Sequence, residues 1–305
     1  MNALLAIPVL VTPFHEDEGI DEESLRNEVD FCIAGGATGL CAPAFASEYY
    51  KLSELERLRV IEIVITHCRR RVPVWASTGS PSIRASVEFS ARAQSLGADG
   101  VMVAAPRAVP LGAAELTSYS EAVCRSIEIP VMLQDADFQG SGLPVRLFTE
   151  LAERCPNFLY AKLENVLPGE RCQEIIRRSD GKVKVLYGWG GLRLFDGLAH
   201  GATGIMPGPG LLDVYARVLR SYDEDSVDQA KAWFNRLLPL LIFSLDHVEL
   251  FIQMEKRVLM KRGVIPRDRM REPTLHLDQA YMDQLEDLVD RAVAVAGESR
   301  NCTES

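Results

Sequence analysis

One lysine interrupts an apolar run of the chain, and its surroundings favour the chemistry of an amine nucleophile. Lys162 lies in FLYAKLE (158–164), which otherwise has the pattern of a buried strand. Side chains alternate along a strand, so Lys162 and Glu164 share one face while Ala161 and Leu163 share the other. Burial disfavours the charged ammonium and exposes a neutral amine that attacks ketones. The position alone leaves two roles open for Lys162, a Schiff-base amine or an ion-pair partner of Glu164.

Apolar runs and amphipathic segments alternate along the chain and predict the element that presents this lysine. Eight candidate strands lie at 6–14, 39–46, 72–78, 100–106, 130–136, 158–164, 183–189 and 203–208. Several are continuously apolar, which is typical of parallel strands buried on both faces. Helix start signals stand between them, such as Ser53 with Glu56 three residues on, a capping box. Eight strand–helix pairs predict an α/β protein, a (β/α)8 TIM barrel, and no G-x-G-x-x-G follows the first strand.

The pattern changes to helices alone after the eighth pair. We predict a barrel over residues 1–224, a C-terminal helical extension packed on it over 225–296, and a frayed tail at 297–305. No linker rich in Pro, Gly or Ser separates the extension from the barrel. Lys256 and Lys261 in these helices are expected to be solvated.

In a (β/α)8 barrel the active site lies at the C-terminal ends of the strands, which selects the candidate residues. The catalytic candidates are Lys162, Gln134 and Glu164. The substrate-binding candidates are Ala46, Ser47, Asp135, Trp189 and Met206. The five histidines are far apart and have no metal-ligand spacing, so no metal site is predicted.

Composition and charge exclude several classes of partner. Of the 305 residues, 47% are hydrophobic and 25% charged, as is typical of soluble globular proteins. The formal net charge of −10 argues against nucleic acid and against an anionic membrane, since both need a basic face. Seven cysteines without a C-x-x-C pair indicate reduced thiols. With no secretory signal and no apolar run of ~18 residues, we expect a cytoplasmic protein.

Several motifs, taken together, resemble the dihydrodipicolinate synthase/N-acetylneuraminate lyase family of class I Schiff-base lyases. They are IPVLVTPF, GLCAPAFASEYYKLSELER, IPVMLQDADFQGSGL, LYAKLEN and HGATGIMPG, and the resemblance runs from about Ile7 to Val293. It implies that Lys162, in the place of the family's sixth-strand lysine, forms an imine with a 2-oxo acid. It also implies that no cofactor is needed beyond this covalent imine, and that the protein is a homo-oligomer, a tetramer or a dimer.

The departures from the family pattern concern the proton-transfer groups. The family usually has G-T-T-G-E after the second strand, and this chain has Ala44 to Glu48, in which only the glutamate survives. Ser47 and nearby main-chain N–H groups are expected to hold a substrate carboxylate, and Glu48 is expected to be structural rather than catalytic. Gln134 replaces the family's proton-shuttling tyrosine. An amide is no acid or base near neutral pH, although it donates hydrogen bonds, here to a substrate oxygen.

Within the family, the 2-keto-3-deoxy-L-arabonate dehydratase branch is the most similar. The similarity lies in IPVMLQDA, GLCAPAFASE and KRGVIPRDRMREPTLHLD. It implies a hydro-lyase that dehydrates a 2-keto-3-deoxy sugar acid, with Glu164, Asp135 or a water as the general base. A pyruvate-dependent aldolase or synthase is the alternative within enzymes, and a non-catalytic 2-oxo acid-binding paralogue is the alternative outside them.

Overall fold

Eight short strands, each followed by a helix, make up the framework of the computed structural model, which describes residues 3–106, 110–138, 140 and 142–301. The strands are β1 (Leu5–Ala6), β2 (Leu40–Ala42), β3 (Val74–Ser77), β4 (Gly100–Ala104), β5 (Val131–Asp135), β6 (Phe158–Leu163), β7 (Lys184–Tyr187) and β8 (Gly204–Ile205). They form one sheet in the order β1-β8-β7-β6-β5-β4-β3-β2. The predicted (β/α)8 fold with a C-terminal helical extension is confirmed.

The helices that follow the strands complete the repeat. They are α1 (Glu22–Ala34), α2 (Glu54–Cys68), α3 (Ile83–Leu96), α4 (Ala113–Ser126), α5 (Val145–Arg154), α6 (Gly169–Arg178), α7 (Leu194–Ala199) and α8 (Leu212–Asp223). The extension consists of α9 (Val227–Asn235), α10 (Leu238–Ser244), α11 (Val248–Lys261) and α12 (Gln279–Asn301). The predicted frayed tail is helical as far as Asn301, and residues 302–305 lie outside the described residues.

The chain divides into two compact units, and the central unit (residues 73–206) contains β3 to β8. All its strand pairs are parallel. The register pairs Gln134 of β5 with Lys162 of β6, and it pairs Asp135 with Leu163. Since residues paired in register point to the same face, Gln134 and Lys162 share a face, and Asp135 and Leu163 share the opposite one.

The terminal unit (residues 1–72 and 207–305) contains β1, β2 and the C-terminal helices. Val9 and Cys41 form a parallel bridge just after β1, and the Val9 N–H donates to the Pro207 carbonyl at 2.9 Å. An apolar cluster that includes Val11 and Leu259 joins the first strand segment to α11. The helical extension is thus part of the same compact unit as the first two strands.

Prolines make two strands shorter than the sequence predicts. The run 6–14 was expected to be one strand, and only Leu5–Ala6 is regular. Pro8 and Pro13 lack the N–H that a sheet ladder requires, so the chain continues past β1 with isolated contacts. At β8 only Gly204–Ile205 is regular, because Pro207 follows after a single residue.

Helix ends follow the local chemistry of their residues. The predicted capping box at α2 is confirmed, since the Ser53 hydroxyl accepts from the Glu56 N–H and the Glu56 carboxylate accepts from the Ser53 N–H. The segment 227–245, at the start of the predicted helical extension, forms two helices, α9 and α10. Pro239 lies in the first turn of α10, where its missing N–H needs no partner, whereas inside a longer helix it would break the ladder.

Two further observations concern the whole described chain. The six described cysteines are buried thiols. Within residues 3–106, 110–138, 140 and 142–301, no helix combines the length and the hydropathy that crossing a bilayer requires.

Candidate active site

Lys162 occupies the penultimate position of β6, and its side chain is buried. The residue is 3% exposed, and its Nζ lies 3.1 Å from Glu164 Oε1. The other residues of β6 are mostly apolar, so the aliphatic stem of Lys162 is buried among them. Its amine lies near the C-terminal end of the strand. Lys162 and Glu164 lie on one face, as predicted, and their contact leaves both roles of Lys162 open, the Schiff-base amine and the ion-pair partner.

Three donors hold the Glu164 carboxylate in one orientation. Oε1 accepts from the Trp189 main-chain N–H at 3.0 Å in addition to its contact with Lys162. Oε2 accepts from Gln134 Nε2 at 2.6 Å. Donors from β5, β6 and the segment after β7 therefore converge on one buried carboxylate, and charge-assisted hydrogen bonds of this kind are strong and directional.

Gln134 presents an acceptor, not the donor that the sequence led us to expect. Its Nε2 is engaged by Glu164, which, as a carboxylate, only accepts, so the amide orientation is fixed. The Oε1 atom is buried, and no hydrogen-bond donor among the described residues reaches it. The free group on Gln134 is thus a carbonyl oxygen that suits a hydroxyl donor.

Asp135, a predicted substrate and proton-transfer residue, makes structural contacts on the opposite face of β5. Its Oδ2 accepts from the Leu143 N–H at 2.8 Å and from Arg171 Nη2 of α6 at 3.2 Å. The carboxylate is fully buried. Since it faces the helix layer and anchors the loop that precedes α5, its contacts give no support to a role in proton transfer.

Trp189 contributes its main chain to the carboxylate. It follows Gly188 in a short 3-10 turn after β7 and has a positive φ of 50°. The indole ring stacks on Phe138 with the centroids 4.3 Å apart. The predicted contact of this side chain with a substrate remains a prediction.

Tyr187 is not a substitute for the tyrosine that the family has in place of Gln134. It pairs in register with Leu163, on the face opposite Lys162, and its hydroxyl lies 3.4 Å from Asp196 of α7. Burial raises its pKa, which keeps the phenol neutral. Met206, a predicted substrate contact, is buried, and its N–H donates to the Tyr187 carbonyl at 2.7 Å.

Ala46 and Ser47 belong to the terminal unit, in a 3-10 turn after β2. The Ser47 hydroxyl donates to the Leu10 carbonyl and accepts from the Ala44 N–H at 2.9 Å. Because these partners use the hydroxyl, a carboxylate-binding role for this segment would rely on its main-chain N–H groups. That role remains a prediction.

The expectation that Lys256 is solvated is wrong. Its side chain is 0% exposed, and Nζ lies 2.5 Å from Glu48 Oε1 and 2.7 Å from the Arg269 carbonyl. The second oxygen of Glu48 accepts from Lys51 Nζ at 3.0 Å and from the Arg271 N–H at 3.1 Å. Burial lowers the pKa of Lys256, and the charge of Glu48 opposes this effect. Glu48 thus has the structural contacts that its sequence context predicts.

Two buried carboxyl groups of the terminal unit hold main-chain donors near the strand ends. Glu255 of α11 accepts from the Gly210 N–H at 2.7 Å, and Glu28 of α1 accepts from the Val11 N–H at 2.8 Å. Burial raises the pKa of Glu255 to about 7 and raises that of Glu28 well above its ordinary value. The folded state therefore favours a proton on each of these groups.

Two residues that shape these contacts were not predicted from the sequence. Lys256 carried a usable signal, because it follows Ile252 by four residues and precedes Leu259 by three, on an apolar face of α11. Arg171 carried none, since its role depends on a tertiary contact with Asp135.

Comparison with known proteins agrees with this architecture. The chain is 30% identical to the L-2-keto-3-deoxyarabonate dehydratase of Azospirillum brasilense over 89% of each protein. It is 32% identical to the 4-hydroxy-tetrahydrodipicolinate synthase of Pelobacter propionicus over 74% of this chain and 78% of that protein. Similar proteins thus include a dehydratase and a synthase.

A third relative has a solved structure. The chain is 27% identical to YagE of Escherichia coli K12, described as a putative 2-dehydro-3-deoxy-D-gluconate aldolase, over 93% of this chain and 95% of YagE. The YagE crystal structure, in complex with pyruvate, superposes with a TM-score of 0.85 at 25% identity, covering 96% of this chain and 99% of that one. The model of the dihydrodipicolinate synthetase family matches residues 3–292. The chain belongs to the dihydrodipicolinate synthetase family.

Proposed function

We propose that this protein is a Schiff-base-forming hydro-lyase that dehydrates a 2-keto-3-deoxy sugar acid of the 2-keto-3-deoxy-L-arabonate type. The observation that carries the proposal is the buried contact between Lys162 Nζ and Glu164 Oε1 at 3.1 Å. A lysine amine beside a fixed carboxylate is the pair of groups that imine chemistry needs.

The first stage forms the imine. The neutral amine of Lys162 attacks C2 of the 2-oxo acid, and the C2 oxygen leaves as water. Glu164 is within reach to take the ammonium proton and to return it to the departing oxygen, which receives its second proton from the attacking nitrogen. The resulting iminium withdraws electrons from C3 and serves as the electron sink, so the reaction requires no metal or organic cofactor.

The second stage eliminates water. Glu164 removes a proton from C3, and the electron pair passes to the nitrogen to give an enamine. The enamine expels the C4 hydroxyl, which takes the proton back from Glu164 and departs as water. One carboxyl group thus serves as base and then as acid, and hydrolysis of the product imine frees Lys162.

Gln134 supports dehydration over aldol cleavage. Aldol cleavage needs a base on the C4 hydroxyl, and the family's tyrosine for this task is absent. The buried Gln134 Oε1 instead offers an acceptor to a substrate hydroxyl, and its Nε2 holds Glu164. A substrate rich in hydroxyl groups, such as a sugar acid, matches this free acceptor.

The relatives support the same substrate class. The dehydratase of A. brasilense is named for 2-keto-3-deoxyarabonate, and YagE was crystallised with pyruvate, a 2-oxo acid. We propose the same class of substrate, a 2-oxo acid of the 2-keto-3-deoxy sugar acid type, for this protein. The homo-oligomer that the resemblance implies also remains a prediction.

The aldolase activity described for YagE is the competing function. The two reactions differ in their products from 2-keto-3-deoxypentonate. Dehydration gives a five-carbon unsaturated 2-oxo acid, which becomes a dioxo acid of the same mass when hydrogen shifts from C5 and its hydroxyl to C3 and C4, whereas aldol cleavage gives pyruvate and the two-carbon hydroxyaldehyde. A non-catalytic paralogue would give neither.

The test is product analysis by mass spectrometry after incubation with 2-keto-3-deoxypentonate. We expect a product smaller than the substrate by one water, with no pyruvate. Lys162→Met should abolish it. Lys184→Met should not, because Lys184 is an exposed lysine on the neighbouring strand β7. Pyruvate as the main product would replace the dehydratase assignment by an aldolase one.

A further inference from the structure

The turn after β7 has a backbone conformation that its residue type disfavours. Trp189 has a φ of 50°, in the left-handed region that glycine and asparagine enter readily and bulky residues rarely do. Such conformations persist where the surrounding structure imposes them, and they concentrate at functional sites. The conformation therefore needs a local cause.

The cause lies in the contact that the turn makes with Glu164. In this conformation the Trp189 N–H donates to Glu164 Oε1 at 3.0 Å, the same oxygen that faces Lys162 Nζ. The preceding residue must be small, because a Cβ atom on Gly188 would overlap Glu164 Oε1 and the carbon that bears it. The glycine and the strained tryptophan together fix where the carboxylate can lie.

Phe138 packs against this turn. Its ring stacks on the Trp189 indole with the centroids 4.3 Å apart and the planes 26° from parallel. The two rings, with Gly188 and Glu164, line a small cavity of about 60 Å³. The stack gives the indole a packing role that does not require contact with a substrate.

We infer that the Gly188–Trp189 turn, braced by Phe138, positions the Glu164 carboxylate, and that Trp189 acts through its main-chain N–H and not through its ring. The inference rests on the proposed function, in which Glu164 moves the protons. It assigns positioning roles to Gly188, Trp189 and Phe138, and it replaces the expectation that the indole binds the substrate.

Paired substitutions at position 189 separate the two roles. Trp189→Asn keeps the N–H and tolerates a positive φ, whereas Trp189→Val keeps the N–H but is β-branched and resists it. We expect kcat to fall about threefold in Trp189→Asn and about thirtyfold in Trp189→Val, with KM within twofold of the wild type in both, because general acid–base catalysis depends on geometry. A rise in KM in both variants with kcat unchanged would show that the ring contacts the substrate and would overturn the inference.

Gly188→Ala tests the other half of the turn. We expect kcat to fall about a hundredfold, within the range for losing a positioned acid–base group, again with little change in KM. Gly297→Ala is the matched control, because a Cβ atom there meets nothing within 4 Å. Full activity in Gly188→Ala would contradict the inference.

Crystal structures of Trp189→Asn and Gly188→Ala give a readout that does not depend on turnover. In Trp189→Asn the main-chain N at position 189 should stay about 3 Å from Glu164, and in Gly188→Ala that contact should be lost. An unmoved Glu164 in Gly188→Ala would overturn the positioning role even if the enzyme were inactive. Absence of turnover in the wild type would instead contradict the proposed function, and the structural comparison would still decide the role of the turn.

Discussion

Neutralising one buried acid should change how the stability of this protein depends on pH. Glu255 lies in α11, is 3% exposed, and has a pKa raised to about 7 by burial, against an ordinary value of 4.5. An acid whose pKa is raised in the folded state binds its proton more tightly there than in the unfolded chain. Its contribution to stability is therefore complete below the unfolded pKa and is lost as the pH rises through the folded one.

The magnitude follows from that shift. A difference of about 2.5 pKa units corresponds to about 3 kcal/mol at 1.36 kcal/mol per unit. Most of it, about 2.5 kcal/mol, falls between pH 5 and pH 8. The glutamine of Glu255→Gln keeps an acceptor for the Gly210 N–H but does not titrate across this range.

Urea unfolding of the wild type and of Glu255→Gln at pH 5 and pH 8 measures the effect. The wild type should lose about 2.5 kcal/mol of unfolding free energy relative to the variant on going to pH 8, since titrating groups that do not interact with Glu255 cancel in the difference. A difference between the two proteins that is the same at both pH values would show that Glu255 does not titrate between pH 5 and pH 8.

Three further predictions concern the charged and polar contacts. Glu164→Gln should lower kcat by at least about a hundredfold and slow imine formation, so that borohydride traps the imine only after longer incubation, and a loss of less than threefold would exclude Glu164 as the acid–base group. Lys256→Met should lower the unfolding free energy by about 3 kcal/mol because it leaves Glu48 buried beside fewer cations, and adding Glu48→Gln should recover most of that loss in urea titrations. Gln134→Leu should raise KM about tenfold through loss of one substrate hydrogen bond, and steady-state kinetics showing an unchanged KM would exclude that bond.

Much of the fold follows from local patterns in the chain. Seven of the eight strands lie within their predicted runs, and β1 begins one residue before its run, because continuous apolar stretches between helical segments have few other stable arrangements. The strand ends were overestimated at β1 and β8, since proline removes ladder donors without changing the apolar pattern. The break before Pro239 has the same cause.

The candidate site was predictable where strand alternation decides it. Lys162 and Glu164 share a face because they are two residues apart, and register then sets Gln134 beside them. The side on which Asp135 lies was not predictable, because alternation places it opposite Gln134 but the face that meets α6 depends on tertiary packing. The amide orientation of Gln134 was likewise out of reach, because Glu164 determines it across strands.

The burial of Lys256 shows a different limit. The spacing of Lys256 from Ile252 and Leu259 indicates an apolar face of α11, but it does not say which group would balance the buried charge. Its partner Glu48 lies 208 residues earlier in the chain, and no local pattern links the two. Buried ion pairs of this kind depend on the complete tertiary structure.

Borohydride trapping with a 2-oxo acid, followed by peptide mass mapping, tests whether Lys162 forms the Schiff base. Wild-type protein incubated with pyruvate or 2-keto-3-deoxypentonate and then reduced should carry one adduct, on the peptide that contains Lys162. Lys184→Met should trap as the wild type does, and Lys162→Met should not trap at all. An adduct on another lysine, or none with either acid, would contradict the assignment of Lys162 as the Schiff-base residue.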